Sequence, residues 1–367
     1  MIIEDIALTF VAQLGVRGIA HLLERFGSAR DVFAASEQEL IHEAGLRSDV
    51  ARRIVRKEGF AEAERELQHC AKEGIVPISS TDAAYPDRLR FISDFPHVIY
   101  SMGDVEVLNS EHVISIVGTR RMTPYGERMC NKIVEQLSAT FPDTVIVSGL
   151  AFGADAAAHR AALMYGLRTV GVIANALPAI TPATNTTLAH EMLARGGAVV
   201  SEITSQTRQN GNFYIPRNRI VAGLCDGLLV VESPYGGGSL HTAQAADGYS
   251  RTVMAPPGRA TDPMSAGTNG LIRSGVARMI TSADDLIEEL GWRRSDVADV
   301  VRGDIREMSD REALLMSLFG DSGDAVSLDV LIERSGLSAG DVSATLLDLE
   351  LSGEVRQLPG KLYEKLT

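Results

Sequence analysis

The sequence predicts an α/β protein built on a mainly parallel sheet, with a helical segment before it and a small helix-and-hairpin unit after it. Three observations predict this. Between residues 113 and 290, six short apolar runs alternate with helical patterns, the mark of a sheet covered on both faces. Residues 1–74 repeat their apolar side chains only at helical spacing. Residues 306–367 read as three short helices and two strands around Pro359-Gly360, the order of a winged helix. A chain of 367 residues is long for one domain. The expected parts are 1–74 helical, 75–290 α/β, 291–305 linker and 306–367 winged helix.

The bulk properties narrow the class. Hydrophobic residues make up 45% of the chain and charged residues 23%, an ordinary soluble balance. Met1-Ile-Ile-Glu-Asp carries no basic leader, and no apolar run reaches the roughly 18 residues of a membrane span. A cytoplasmic protein with no membrane partner is expected. Cys70, Cys130 and Cys225 are too far apart for a zinc site and odd in number, so buried free thiols are expected. The net charge of −13 is unevenly spread. Residues 113–280 hold fourteen Lys and Arg against ten Asp and Glu, whereas residues 1–112 are net −7 and residues 281–367 net −10. The middle of the chain is where a polyanion would bind.

Taken in order, the helical start contains Leu14-Gly15-Val16-Arg17-Gly18-Ile19, which reads as the glycine turn of a helix-hairpin-helix unit. Glu43-Ala44-Gly45-Leu46-Arg47 is a poorer copy. Such turns either offer backbone amides to a DNA phosphate or simply reverse the chain in a packing domain, and the acidic balance favours the second. Residues 75–112, broken by Pro and Asp, read as a connector with strand character at Ile75–Ile78 and Pro96–Tyr100, an extended lead-in packed on the sheet. The strands of the core are expected at Val113–Val117, Val145–Ser148, Thr169–Ile173, Val199–Ser201, Leu228–Val231 and Val253–Ala255. Helices are expected at Pro124–Leu137, Ala154–Tyr165, Leu188–Ala194, Ile215–Leu224 and Leu240–Gly248.

In such a sheet a ligand sits beyond the carboxyl ends of the strands. The loops there read Gly118-Thr119-Arg120-Arg121, then Ser148-Gly149 through Gly153-Ala154-Asp155, then Asn175 through Thr184-Asn185, and Ser233 through Gly236-Gly237-Gly238-Ser239. Glycines let backbone amides approach a phosphate closely, and arginines add charge. The stretch Asn212–Leu224 adds Arg217 and Arg219 around Asn218, with Phe213 and Tyr214 as stacking faces, where a loop enters a helix. Two readings stay open for the arginines: phosphate contacts, or carboxylate pairing at an interface. Asp155 and His159, four apart on one helix, are either an acid–base pair or structural groups, and the lack of a nucleophile favours the second. Glu232 carries the same two readings. No G-x-G-x-x-G follows the first strand and no G-x-x-x-x-G-K-[ST] occurs, which argues against a dinucleotide cofactor and P-loop chemistry. No metal set is recognised. In the third winged-domain helix, Leu337–Ser352 has Asp341, Asp348 and Glu350 but no Lys or Arg. That suits protein contact or structure better than a DNA groove.

These residues together resemble the DprA/Smf family of DNA-processing proteins. The matches are Ile116-Val-Gly-Thr-Arg120 with Tyr125-Gly126, Ser148-Gly149 through Asp155 and His159, and Ile215-Pro-Arg-Asn-Arg-Ile-Val-Ala-Gly-Leu224. Gly237-Gly-Ser-Leu240, Thr242-Ala243, Pro257-Gly258 and Gly267-Thr-Asn269 follow in family order. The resemblance implies a Rossmann-like core, a SAM- or helix-hairpin-helix-like N-terminal domain and a winged-helix tail. It implies sequence-independent single-stranded DNA binding without catalysis or cofactor, in transformation and homologous recombination. Expected partners are single-stranded DNA, a RecA-type recombinase, a second copy through the core, and a single-strand-binding protein. By motif position Arg120, Arg217 and Arg219 hold phosphates, aided by Gly118, Thr119, Ser148, Gly149, Asn218, Gly237, Gly238 and Ser239. The loop after the third strand departs from the family: Asn175–Thr181 reads N-A-L-P-A-I-T where a Gly-rich turn is usual. Two other roles compete. One is a phosphoribohydrolase-like enzyme, disfavoured because Gly236-Gly-Gly-Ser-Leu lacks the catalytic acid; the other is a protein adaptor using the acidic tail.

Overall fold

A computed structural model of the chain describes residues 2–207, 213–293, 309–319, 326–351, 354–358 and 362–365. They form two compact units, 1–294 and 295–367. The first begins with six helices: α1 (Ile2–Phe10), α2 (Val16–Phe26), α3 (Ala29–Ala34), α4 (Glu37–His42), α5 (Ser48–Val55) and α6 (Phe60–Glu73). Their ends follow local chemistry. Ser36 and Glu39 form a capping box at α4, and Gly74 closes α6 in the left-handed region at φ 67°. The expected glycine turn is present between α1 and α2, with Gly15 as the N-cap of α2.

The chain then runs β1 (Val76–Ser79), α7 (Asp87–Arg90), β2 (Val98–Gly103), β3 (Val113–Val117), α8 (Pro124–Thr140), β4 (Val145–Ser148) and α9 (Ala154–Met164). It continues β5 (Arg168–Val172), α10 (Thr186–Ala194), β6 (Ala198–Ser201), α11 (Tyr214–Gly223), β7 (Gly227–Val230) and α12 (Ser239–Gly248). β8 (Thr252–Ala255), α13 (Ala266–Arg273), β9 (Ala277–Met279) and α14 (Ala283–Leu290) complete it. The nine strands lie in the order β1-β2-β6-β5-β4-β3-β7-β8-β9. β6 through β9 in that order are parallel, while β1 and β2 run antiparallel at one edge. The central strands are buried on both faces, which explains their unbroken Val/Ile/Leu runs.

This order makes β3 and β7 a switch point. From β3 the chain winds outward through β4, β5 and β6; from β7 it winds the other way through β8 and β9. Loops on the two sides diverge there and leave a crevice. The lead-in expected over 75–112 does pack on the sheet, but as two of its strands.

The boundary expected at 74 separates helices from sheet but not one compact unit from another. Ile6, Leu8, Leu22 and Ile54 share a continuous core with Val98, Tyr100, Leu150 and Val199. The reason is mutual: the helices expose apolar faces that need cover, and so does the sheet around β2 and β6. Polar ties reinforce the join. Buried Asp5 on α1 accepts a 2.9 Å hydrogen bond from Ser79 Oγ and lies 3.0 Å from His97 Nε2. Glu66 of α6 accepts from Ser205 N and Oγ at 2.9 and 2.6 Å. The linker expected over 291–305 starts late, because Trp292 packs edge-on against His112 and Phe141. Residues 294–305 of it lie outside the described residues. Cys70, Cys130 and Cys225 are free and buried, and burial pushes the Cys130 thiol up to about 12. No described helix is long and apolar enough to cross a membrane.

The second unit has α15 (Asp310–Ser317), β10 (Val326–Ser327), α16 (Leu328–Ser335), α17 (Ala339–Leu351), β11 (Val355–Leu358) and β12 (Leu362–Lys365). Its sheet has the order β10-β12-β11, and Leu315, Leu331, Leu346 and Tyr363 form its core. This is the expected winged helix; the turn at Pro359-Gly360-Lys361 lies outside the described residues. On α17, Asp341 pairs with Arg311 at 2.8 Å.

Burial pushes the Asp5 carboxyl up, but His97 and the Ser79 hydroxyl outweigh it and hold the group below the ordinary aspartate range. A lowered folded-state pKa means stability that is present above the unfolded value and lost as pH falls through the folded one. Asp5→Ala is therefore expected to cost about 3 kcal/mol at neutral pH. It should also flatten the loss of melting temperature below about pH 4. Thermal melts across pH check both.

Candidate functional site

Three strand ends and two helices build a pocket of about 450 Å³ at the switch point. The loop after β3 supplies Gly118, Thr119 and Arg120; the loop after β4 supplies Gly149 and Ala151; the loop after β7 supplies Pro234, Gly237 and Gly238. Tyr214, Arg217 and Asn218 enter from α11, and Ser239, His241 and Thr242 from the first turn of α12.

The loops are pressed together by backbone contacts that only glycine permits. A Cβ on Gly118 would lie 2.7 Å from Ala154 Cβ and 2.8 Å from Glu232 O. Gly153, at φ 74°, packs its α-carbon against the Thr119 and Arg120 backbone. Thr119 N donates to Glu232 O at 2.7 Å, and Ala154 N donates to Thr119 O at 3.1 Å. Beneath them, buried Glu232 accepts from Thr123 N and Oγ1 at 2.8 and 2.7 Å, which fixes the far end of the β3 loop.

Arg217 is the charge at the pocket floor, only 7% exposed. One guanidinium nitrogen donates to Val172 O at the end of β5, and Nε donates to Asn218 Oδ1 at 3.2 Å. Burial pushes this guanidinium down from its ordinary range, and nearby Asp155 opposes the push. Asp155 is itself fixed, with Oδ2 accepting from Ala151 N at 3.2 Å. A desolvated cation partly balanced by one carboxylate still attracts an anion strongly, because little water competes. Arg120 is exposed above it, with its guanidinium 5.2 Å from the Tyr214 ring centroid, a cation–π distance. The N-terminus of the ten-residue α12 opens on the same pocket, adding its partial positive charge. Phe152 and Tyr235, in the β4 and β7 loops, and Ile215 on α11 are exposed apolar groups, Tyr235 by 91%.

The family-model comparison matches residues 77–291 to DNA recombination-mediator protein A and residues 305–361 to the DprA winged-helix domain. The chain belongs to the DprA/Smf family. Protein Smf of Escherichia coli is 34% identical over 279 residues, covering 75% of this chain and 74% of that protein. The DNA processing protein DprA of Bacillus subtilis is 37% identical over 64% of this chain and 77% of its own length. Among solved structures, DprA from Streptococcus pneumoniae superposes with a TM-score of 0.67 at 30% identity, covering 77% of this chain and 95% of that one. DprA from Helicobacter pylori, whose structure was described for its single-stranded DNA binding mode, gives 0.52 at 27% identity, covering 59% and 95%.

Against the sequence-based expectations, this DprA/Smf pocket gathers Gly118, Thr119, Arg120, Gly149, Tyr214, Arg217, Asn218, Gly237, Gly238 and Ser239. Three expected residues are elsewhere. Arg219 binds Glu202 at 2.5 Å and approaches Asp94 at 3.8 Å. Both arginines sit on α11, as the expected helix over Ile215–Leu224 placed them, and two residues of helix turn the chain by about 200°. They therefore point to opposite sides: Arg217 lines the pocket, while the carboxylate-pairing reading holds for Arg219. Ser148 donates its hydroxyl to Ile116 O at 2.5 Å, tying β4 to β3 below the pocket. Phe213 caps α11 and does not line the cavity. None of the loop 173–185 lines it either. Asn185 instead supports it indirectly, donating to Leu150 O and Ala151 O.

His159 is fully buried between Thr169 Oγ1 at 2.7 Å and Gly149 O at 2.5 Å. A carbonyl only accepts, so Nε2 carries a proton, and burial pushes the ring's pKa down. His159 and Asp155 are thus two struts of the β4 loop, not an acid–base pair. Sequence reasoning missed the lining residues His241 and Thr242 and the rim aromatics Phe152 and Tyr235. The only signal for the rim was an aromatic inside the glycine-rich loops after β4 and β7.

Gly149→Ala is expected to destabilise the protein by about 2 kcal/mol through overpacking. Its Cβ would press on the Asp155 carboxylate and lie 2.7 and 2.8 Å from the Arg217 guanidinium nitrogens. Chemical denaturation of the variant checks this.

Proposed function

We propose that this protein binds single-stranded DNA without sequence preference, with Arg217 and Arg120 on phosphates and Tyr214 and the exposed rim apolar groups against bases. The observation that carries the reading is the buried Arg217 guanidinium at a glycine-walled pocket, beside a helix N-terminus and an exposed arginine–tyrosine pair. Glycine amides and guanidiniums suit phosphate oxygens, while aromatic faces accept any base. The Helicobacter pylori relative binds the same class of ligand, single-stranded DNA. The role is binding rather than catalysis. The acid–base candidates that the sequence singled out are engaged: His159 by Thr169 and Gly149, Glu232 by Thr123, Asp155 by Ala151.

In the same reading the strand is held for a RecA-type recombinase in homologous recombination and transformation, and two copies pair through the core. A single-strand-binding protein belongs to the same set of partners. These roles rest on family resemblance. Co-sedimentation with a recombinase filament and ultracentrifugation test them.

Binding to labelled oligo-dT should weaken with salt at a log–log slope of about −0.7 per phosphate neutralised. Arg217→Ala should cost about 2 kcal/mol, some thirtyfold in affinity, and Arg120→Ala should shallow the slope by about 0.7. Fluorescence anisotropy over a salt series reads both; unchanged slope and affinity in the two variants would exclude this pocket as the site.

A further inference from the structure

A second cleft, of about 650 Å³, lies beside the first on the same edge of the sheet. It is lined by Thr123, Pro124, Tyr125 and Arg128 at the start of α8 and by Gly258 and Arg259 after β8, with Asp262. We propose that this cleft is a second phosphodiester subsite, which takes the continuation of the strand held in the first pocket. The proposal rests on the single-stranded DNA reading above and extends it to a named path.

Three features carry it. First, the cleft walls are tied together before any ligand arrives. Tyr125 donates its hydroxyl to Pro257 O at 2.5 Å, joining α8 to the β8 loop. Asn269 clamps the turn from behind, accepting from Gly258 N at 3.0 Å and donating to Gly258 O at 3.1 Å. A side chain at 258 would collide with Ser265, so the turn that presents Arg259 has one available shape. Second, the charge is unspent. Arg121, Arg128 and Arg259 are exposed and make no ion pair among the described residues. The one carboxylate in the lining, Asp262, is held by capping Met264 N at 2.9 Å and forms no ion pair with either arginine. Two guanidiniums against one carboxylate leave the cleft net positive, and forked donors suit phosphate oxygens.

Third, one loop joins the two clefts. Arg120 lines the first and Thr123 the second. Three residues span at most about 11 Å, the reach of about three stacked nucleotides. Arg121 lies on that loop, and its backbone N–H bonds Thr119 Oγ1 at 3.1 Å, which holds the turn tight. A strand leaving Arg120 toward β8 thus meets Arg121 and then the Arg128–Arg259 pair. The opposite direction, past β5, offers the loop 173–185, which has no Lys or Arg.

The test compares the full chain with Arg128→Ala/Arg259→Ala on oligo-dT of about 4 and about 20 nucleotides, by anisotropy over a salt series. The expected result is a long-oligonucleotide salt slope shallower by about 1.4, two phosphates' worth, with the short oligonucleotide unchanged. Arg128→Lys/Arg259→Lys should retain the slope, which shows that charge and not packing is responsible. An unchanged long-oligonucleotide slope in the alanine variant overturns the second subsite while leaving the first pocket standing. Equal weakening of both lengths also overturns it, since the arginines would then act through the first pocket. Failure of the wild-type chain to bind either length overturns both readings, and Arg217→Ala, expected to weaken both lengths, distinguishes the two sites.

Discussion

One buried guanidinium sets the terms for the rest of the first unit. Placing Arg217 at the end of a parallel sheet, largely out of water, is costly unless its hydrogen bonds and charge are met. Val172 O, Asn218 and the nearby Asp155 meet part of that demand. The glycines at 118, 149 and 153 follow from the same constraint, since close backbone packing is what shapes a pocket around a charge at this depth. His159 holds Gly149 O from below, and Asn185 holds the next two carbonyls. The residues of catalytic type near the pocket are therefore its scaffolding.

The same helix couples the pocket to the rest of the unit. α11 carries Arg217 on one side and Arg219 on the other. Arg219 locks onto Glu202, whose carboxyl burial pushes up while Arg219 opposes the push. A few residues on, Ser205 is gripped by Glu66 of α6. The N-terminal helices thus brace the segment leading toward α11 as well as covering the sheet. The charge distribution fits this division: the flanking segments are net acidic, and Arg120 and Arg217 of the net-positive middle lie where the strand ends converge.

Much of this was legible from local signals. Short Val-, Ile- and Leu-rich runs at 113–117, 145–148 and 228–231 announce buried parallel strands, and the glycine-rich loops after them announce close backbone approach. The winged helix is legible because each of its elements has its own cap and period, such as Ser309 with Glu312 and the Gly336 stop. β9 was not, since three residues with one buried side chain carry no periodic signal. The edge segment 75–112 showed strand character at Ile75–Ile78 and Pro96–Tyr100, but its pairing into the main sheet was not legible, because the β2 partner β6 lies about a hundred residues on.

The chain's own sequence determined its α/β alternation, its phosphate-suited loops, its acidic tail and its family, all of which depend on residue type and near spacing. Tertiary structure alone decided which cations face the pocket. Arg217 and Arg219 are equivalent in a motif, yet helix phase and the position of Glu202 and Asp94 send one to the pocket and the other to an ion pair. Strand order decided the rest, since placing β4, β3, β7 and β8 side by side brings four separated loops to one edge. Those outcomes depend on which distant groups become neighbours, and short-range periodicity does not encode that.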